Sequence, residues 1–207
     1  MASHAEAHDA HLHPPTANQS SRVDARVLGM FLFIASEVML FGSFFTAYFF
    51  IRVVNGYGWP PGFDKTLGHG FHLPVFVAGL NSGILLTSSA TMHWALQSIK
   101  RGNRAGLKAG LTLTFLMGLT FLLTQVTEYA RIGFAPKDNA FATIFFMLTG
   151  LHGAHVVIGL TLLGFANIRA YRGHYSPEHH HGVEIPGIYW HFVDVMWIVV
   201  YTTIYIL

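Results

Sequence analysis

The sequence predicts an all-α integral membrane protein, folded as a bundle of five transmembrane helices. Hydrophobic residues make up 52% of the 207 residues and charged residues only 11%, whereas a soluble domain carries about 25% charged residues. This composition leaves too little polar surface to cover a protein that faces water on all sides. In addition, five stretches of the chain are long and apolar enough to cross a bilayer core, which requires about 20 helical residues.

Polar loops rich in Gly and Pro separate the five predicted spans. The loop "NGYGWPPG" follows the first span, "KRGNRAGLK" the second, "RIGFAPKDN" the third and "RAYRGHYSPEHHHGVEIPG" the fourth. Gly and Pro in such clusters favour turns over a continuing helix. The predicted spans cover approximately residues 27–51, 74–99, 109–130, 141–168 and 188–207.

Lys and Arg residues near the span ends predict the orientation, because they resist translocation across the membrane. The side that holds the N-terminal segment and the second and fourth loops contains eight of them, and the opposite side contains four. The N-terminus is therefore expected to be cytoplasmic and the C-terminus outside. Residues 1–25, polar and rich in histidine, lack the pattern of a signal peptide and are predicted to form a cytoplasmic tail before the transmembrane domain of residues 26–207.

The composition also excludes several functions. The chain has no cysteine, which rules out disulfides, iron–sulfur clusters and thiolate-bound metals. A formal net charge of +2 gives no indication of nucleic acid binding. The histidines of the tail are expected to be solvated, with adventitious metal binding as the alternative.

Glu37, in "FIASEVMLF", is the sharpest functional candidate, because ionisable residues inside a bilayer are functional by default. It lies about 16 Å into the first span at 1.5 Å per residue. Its helical face carries Phe33, Leu40, Phe41 and Phe44. Such an apolar shell disfavours the charged form, so a largely protonated carboxyl group is expected. Either a structural hydrogen bond to a neighbouring helix or a role with protons or lipid explains the residue.

The third span carries Gln125 and Glu128 one turn apart, in line with Thr114 and Gly118. This row is typical of a helix-contact stripe, and it ends near the outer membrane interface. Packing is the favoured interpretation, because small and polar residues in rows allow membrane helices to approach closely.

The fourth span contains "TGLHGAHVVIG", in which His152 and His155 share one helical face. Gly150, Gly153 and Gly159 indicate a tightly packed seam, in which the two imidazoles are expected to form hydrogen bonds between helices. Metal or haem ligation by these histidines is the alternative.

The last span opens with "WHFVDVMW", in which His191 and Asp194 are three residues apart. Asp194 lies about 9 Å into the predicted helix, near its N-terminus, where the helix dipole stabilises an anion. A polar pair that fixes the fold is predicted, with His191 or an adjacent helix as the partner of Asp194. A contribution to proton access at the cytoplasmic side is the alternative.

Four blocks of this sequence resemble subunit III of haem-copper terminal oxidases. They are "FIASEVMLFGSFF" at 33–45, "QVTEY" at 125–129, "LTGLHGAHVVIG" at 148–159 and "VEIPGIYWHFVDVMWIVVYTTIY" at 183–205. The blocks occur in register, and the resemblance covers about residues 22–207. The Ser-Glu pair in the first block and "VE…YWHFVD" in the last favour the cytochrome c oxidase branch over the quinol-oxidising branch.

The resemblance implies a non-redox core subunit of a proton-pumping cytochrome c oxidase in a bacterial plasma membrane. Catalytic subunit I and copper-bearing subunit II would hold the haems and copper, and cytochrome c would supply the electrons that reduce dioxygen to water. The family's subunit III supports proton uptake, stabilises the catalytic subunit and binds phospholipid. Glu37 matches the family's carbodiimide-reactive carboxyl group, and Glu184, in the last block, is assigned with His152, His155, Gln125 and Glu128 to a structural polar seam.

The sequence departs from the larger family form, because it has five predicted spans where that form has seven. In shorter relatives the two missing helices can belong to the catalytic subunit. The alternatives are subunit III of a quinol oxidase or of a related nitric oxide reductase complex, and an independent haem-binding or proton-carrying membrane protein. A catalytic unit is excluded because the spans contain too few histidines: His93, His152, His155 and His191.

Overall fold

The computed structural model describes residues 25–55, 75–178 and 180–207. This part of the chain contains five α-helices, followed by a π-helical turn, and no strand. All five helices are long and apolar enough to cross a membrane, which confirms the predicted fold class. They are α1 (Ala25–Asn55), α2 (Val75–Lys100), α3 (Arg104–Arg131), α4 (Ala140–Tyr171) and α5 (His181–Tyr201), and the π-helical turn is Thr202–Ile206.

Helix α5 begins at His181, seven residues before the predicted start of the last span, and contains Pro186. A proline inside a helix removes one backbone hydrogen bond, here the bond to the carbonyl group of Gly182. The Tyr175 hydroxyl donates a hydrogen bond to that carbonyl oxygen over 3.3 Å. The loop before α5 thus supplies the missing donor. The helix therefore begins before the "IPG" sequence, which had been expected to precede it.

Helices α2 to α5 form a four-helix arrangement in which each helix contacts the next and α5 returns to contact α2. Helix α1 lies outside this group, against α4 and α5. Much of its surface faces away from the bundle, and the exposed side chains are large and apolar, including Phe31, Leu32, Met39 and Phe50. The arrangement therefore has a packed core and an outer helix that is attached along one face.

Small residues set the distance between α2 and α3. A Cβ atom added at Gly110 would lie 2.7 Å from the Cβ atom of Ala95, and one added at Gly106 would lie 2.6 Å from the Ser98 hydroxyl oxygen. Close backbone approach of this kind is typical of membrane helices, which associate through packing. Asn103 joins the two helices and accepts a hydrogen bond from the amide of Gly106 as the N-cap of α3.

The indole ring of Trp190 occupies the centre of the four helices and is fully buried. Its Nε1 atom donates a hydrogen bond to Ser88 Oγ of α2 over 2.9 Å. The ring packs against Gly118 of α3 and Gly159 of α4, where an added Cβ atom would lie only 2.4 and 2.8 Å from ring atoms. One side chain of α5 therefore contacts all three other helices of the group.

A second tryptophan repeats the contact between α5 and α2 two turns later. Trp197 donates a hydrogen bond from Nε1 to Ser82 Oγ over 2.8 Å, and the Tyr201 hydroxyl donates one to the Val75 carbonyl over 3.3 Å. The residue numbers rise along α5 as they fall along α2, so the two helices are antiparallel and connected at several levels.

The predicted glycine seam of α4 is only partly correct. Gly159 lies in the tight contact with Trp190, but an added Cβ atom at Gly150 or Gly153 would meet nothing within 4 Å. At both of these glycines, an added methyl group would point into space that no described residue fills. On α3, Thr114, Gly118 and Gln125 are buried against neighbouring helices, as a contact stripe requires.

We expect Gly118→Ala and Gly159→Ala to lower the free energy of unfolding by about 1–3 kcal/mol each, because overpacking of a filled core costs that much. Thermal unfolding of the purified protein in detergent measures the change. Gly153→Ala is the matched control on α4, since its new methyl group meets no neighbour. Equal stability of all three variants would show that the Trp190 ring does not fix the helix spacing.

Candidate functional site

Glu37 of α1 forms a hydrogen bond with His155 of α4. The distance between Glu37 Oε2 and His155 Nε2 is 2.8 Å. The two side chains are 16% and 7% exposed, respectively, and the Phe41 ring lies 5.1 Å from the imidazole ring. This contact joins the outer helix to the four-helix group within the apolar part of the bundle.

The hydrogen bonds of His155 show how many protons the pair holds. Its Nδ1 atom lies 2.8 Å from the carbonyl oxygen of Leu151, and because a carbonyl group only accepts, Nδ1 must carry a hydrogen. The bond between Nε2 and Glu37 then contains one proton, which belongs either to the carboxyl group or to an imidazolium. Both arrangements have zero net charge, which agrees with the low polarity around the pair.

Within the described residues, the neighbours of Glu37 lie mainly on one side of its side chain. Phe41 is fully buried, whereas Phe33 is 44% exposed and Leu40 is 40% exposed on the outer surface of α1. On the protein side, the Tyr189 ring lies 6.2 Å from that of Phe33. Glu37 is therefore placed at the boundary between the bundle and the exposed, apolar outer surface of α1.

His152 does not form the predicted hydrogen bond between helices. It is buried, and neither ring nitrogen has a hydrogen-bond partner among the described residues. Its ring instead packs 4.8 Å from the Trp197 ring and 5.9 Å from the Phe121 ring. Aromatic neighbours surround this imidazole, and sequence spacing alone did not distinguish it from His155.

The described residues contain no group of three or more side chains arranged to hold a metal ion. In addition, both nitrogens of His155 are engaged, by Leu151 and by Glu37. A His155 side chain in this arrangement has no lone pair left for a metal.

His191 and Asp194 form no direct hydrogen bond, so of the two predicted partners of Asp194, His191 or an adjacent helix, only the adjacent helix is left. His191 Nδ1 forms a 2.7 Å hydrogen bond with Ser89 Oγ of α2. Asp194 is buried and forms no hydrogen bond of standard geometry within the described part of the chain, but the same Ser89 hydroxyl lies close to its carboxylate group. His191 and Asp194 share a helical face as predicted, but the imidazole ring of His191 is hydrogen-bonded to Ser89 of the neighbouring helix.

A cluster of hydroxyl groups surrounds Gln125 at the opposite end of the bundle. The Tyr129 hydroxyl donates to Thr149 Oγ1 over 2.6 Å, and Thr149 donates to the Phe145 carbonyl. The buried Gln125 side chain lies within hydrogen-bonding reach of the hydroxyls of Tyr129 and Tyr205, and Glu128 is half-buried beside this cluster. Sequence reasoning missed the tyrosines, because they resemble ordinary aromatic residues of a membrane interface.

Glu184 lies in the first turn of α5 and contacts His181, with 3.2 Å between Oε2 and Nδ1. No hydrogen bond among the described residues connects Glu184 to His155 or Gln125. These three residues therefore do not form one continuous polar seam, which was the prediction.

Beside Glu184 lies a cavity of about 260 Å³, which has a cationic lining. Burial raises the pKa of Tyr175 in this lining, against the opposing effect of the Arg169 charge. The guanidinium group of Arg169 lies 5.7 Å from the centre of the Tyr175 ring. The side chains around the cavity are those of Arg26, Arg169, His174, Tyr175 and His181, together with Gly182.

Comparison of the sequence with known proteins shows which family this chain belongs to. The family model for cytochrome c oxidase subunit III matches residues 16–207. Cytochrome c oxidase subunit 3 of Thermostichus vulcanus is 39% identical, over 96% of this chain and 90% of the relative. The subunit 3 proteins of Oryctolagus cuniculus and Pisaster ochraceus are 39% and 41% identical, each over 86% of this chain and over 67% and 68% of the relative. The chain therefore belongs to the cytochrome c oxidase subunit III family.

Proposed function

We propose that this chain is a non-redox core subunit of a proton-pumping cytochrome c oxidase in a bacterial plasma membrane. It supports proton uptake, stabilises the catalytic subunit and binds phospholipid while the complex reduces dioxygen to water. Its partners are catalytic subunit I and copper-bearing subunit II, with cytochrome c as the electron donor. The observation that carries the proposal is the Glu37–His155 pair at the membrane-facing boundary of a chain that belongs to the subunit III family.

The proposal assigns the haems and copper to the partner subunits. The engagement of both nitrogens of His155 supports this assignment. So does the packing of His152 between the aromatic rings of Trp197 and Phe121. The polar side chains of this chain then contribute to assembly and to the handling of protons.

The Glu37–His155 pair is suited to handle a proton in an apolar environment. Moving the proton along the 2.8 Å hydrogen bond changes neither the net charge of the pair nor the number of hydrogen bonds. An isolated charge in such surroundings would be strongly destabilised. The exposed apolar side chains of Phe33 and Leu40 next to Glu37 offer a surface for lipid acyl chains.

The proposed orientation places three segments in the cytoplasm. They are residues 1–25, the loop between α2 and α3, and the loop between α4 and α5. Arg26, at the start of α1, lines the same cavity as Arg169 and His174, so these basic groups belong to one end of the bundle. The positive-inside rule assigns that end to the cytoplasm. The cationic cavity there supports the binding of a phosphate-bearing headgroup.

Purification of the complex with and without this chain tests the proposed function. We expect the complex without the chain to keep its haem spectra and to oxidise cytochrome c, but to lose activity faster during turnover. A Soret band from the isolated chain, or the loss of a metal centre's own ligand when the chain is deleted, would contradict the proposal.

We expect Glu37→Gln to assemble normally and to abolish labelling by a carbodiimide, which reacts with protonated carboxyl groups. The amide can donate to His155 Nε2 in place of the carboxyl O–H group. Glu37→Leu and His155→Leu each remove the contact. A double-mutant cycle on the free energy of unfolding should give a coupling free energy of about 0.5–2 kcal/mol, the range for hydrogen bonds between membrane helices. Labelling that persists in Glu37→Gln would place the reactive carboxyl group elsewhere.

We expect Asp194→Asn to assemble with unchanged haem spectra and to lower the rate of proton uptake during turnover. The substitution keeps the shape of the buried side chain but removes its ability to ionise. Stopped-flow measurements with a pH indicator monitor the uptake, and His93→Gln, on the exposed face of α2, is the control. Unchanged uptake in Asp194→Asn would limit this residue to a structural role.

A further inference from the structure

Two adjoining cavities form one apolar groove between α3 and α4. Their volumes are about 360 and 490 Å³, and they share the lining residues Phe115, Gly164 and Ile168. From Val157 to Arg172 the groove follows α4 for about 22 Å at 1.5 Å per residue. This exceeds the roughly 15 Å thickness of one hydrocarbon leaflet, half of a 30 Å bilayer core. The cavities are together called the α3–α4 groove below.

Gly164, which lines both cavities, presents no side chain to the groove. A Cβ atom at this position would lie 3.6 Å from the Phe115 ring, and larger side chains would enter the open space. The Thr161 hydroxyl in the wall donates to the Val157 carbonyl over 2.8 Å, so it does not present a free polar group. Hydrocarbon surface dominates the interior, which suits an acyl chain.

The mouth of the groove is polar and positively charged. Arg172 lines it, and Lys108 Nζ lies 5.3 Å from the centre of the Tyr171 ring beside it. The Tyr171 hydroxyl and Asn167 both form hydrogen bonds with Thr112 at this level. The groove therefore changes from apolar to polar along its length, as a phospholipid does.

The two cations at the mouth have no anionic partner among the residues that the structure describes. Neither Lys108 nor Arg172 forms an ion pair with a carboxylate of the described residues. None of the residues that line the two cavities is acidic. Two unpaired cations at the membrane surface attract an anionic headgroup, with a contribution near 1 kcal/mol from each.

We propose that the α3–α4 groove binds one anionic phospholipid. One acyl chain lies along Gly164 between Phe115 and Phe165, and the phosphate group contacts Lys108 and Arg172. A transmembrane helix from a partner would fill the apolar part but would leave both cations without an anion. The proposal rests on the proposed function in one respect, because it names a site for the phospholipid binding included there; it does not require that the complex oxidise cytochrome c.

The test uses the full-length chain, purified with the subunits that accompany it. Native mass spectrometry counts the retained phospholipids, and spin-labelled phosphatidylglycerol and phosphatidylcholine measure the preference for an anionic headgroup. Gly164→Leu fills the groove, and Lys108→Gln with Arg172→Gln removes the charge at its mouth without touching the core. Lys100→Gln with Arg101→Gln is the matched control, since it removes two charges at the same end of the bundle but outside the groove.

We expect Gly164→Leu to lose one retained phospholipid. The Lys108→Gln/Arg172→Gln variant should bind phosphatidylglycerol about 25-fold more weakly at this site, since each basic residue near an anionic lipid contributes a factor of about five. The control should match the unmodified protein. Unchanged lipid retention and preference in the Lys108→Gln/Arg172→Gln variant would overturn the proposal, and so would a cross-link from this groove to a partner helix in place of lipid.

Discussion

The insertion of Trp190 between Gly118 and Gly159 is the contact on which the rest of the structure depends. It positions α2, α3 and α4 around α5, and the bond from the indole N–H to Ser88 fixes the rotation of the ring. Membrane helices gain little from hydrophobic burial against one another, so packing and hydrogen bonds must hold them together. Once these four helices are placed, His155 of α4 faces outward at the level where Glu37 of α1 reaches it. The outer helix is thus attached through a group whose position the tryptophan contact determines.

The buried polar groups fall into two kinds. Glu37, His155, Ser88 and Gln125 find partners within the chain. His152, Asp194 and the side-chain oxygen of Asn81 form no hydrogen bond of standard geometry among the described residues. A buried polar group without a partner costs about 1–3 kcal/mol. The first kind holds the bundle together. The second kind marks positions where the described residues leave a buried polar atom without a hydrogen bond, and Asp194 is the acidic one among them.

Hydropathy and charge predicted the five spans well, because the bilayer imposes a length and a composition on each helix. Glu37 was also found from sequence, since a carboxyl group in an apolar helix stands out. Its partner was not, because His152 and His155 share a face and only the crossing of α1 over α4 distinguishes them. Sequence spacing also left open whether His191 or an adjacent helix is the partner of Asp194, for a related reason. Spacing shows which residues share a helical face, but Ser89 belongs to another helix, and its competition for the imidazole is a tertiary effect.

The neutrality of the Glu37–His155 pair determines how α1 responds to an energised membrane. A transmembrane potential acts on a full elementary charge with about 2.3 kcal/mol per 100 mV. Because one proton is shared across the 2.8 Å contact and the sum of the charges is zero, the voltage exerts no net force on the pair. The potential therefore does not drive the pair as a whole across the membrane, whereas it would act on a lone carboxylate or a lone imidazolium at the same depth.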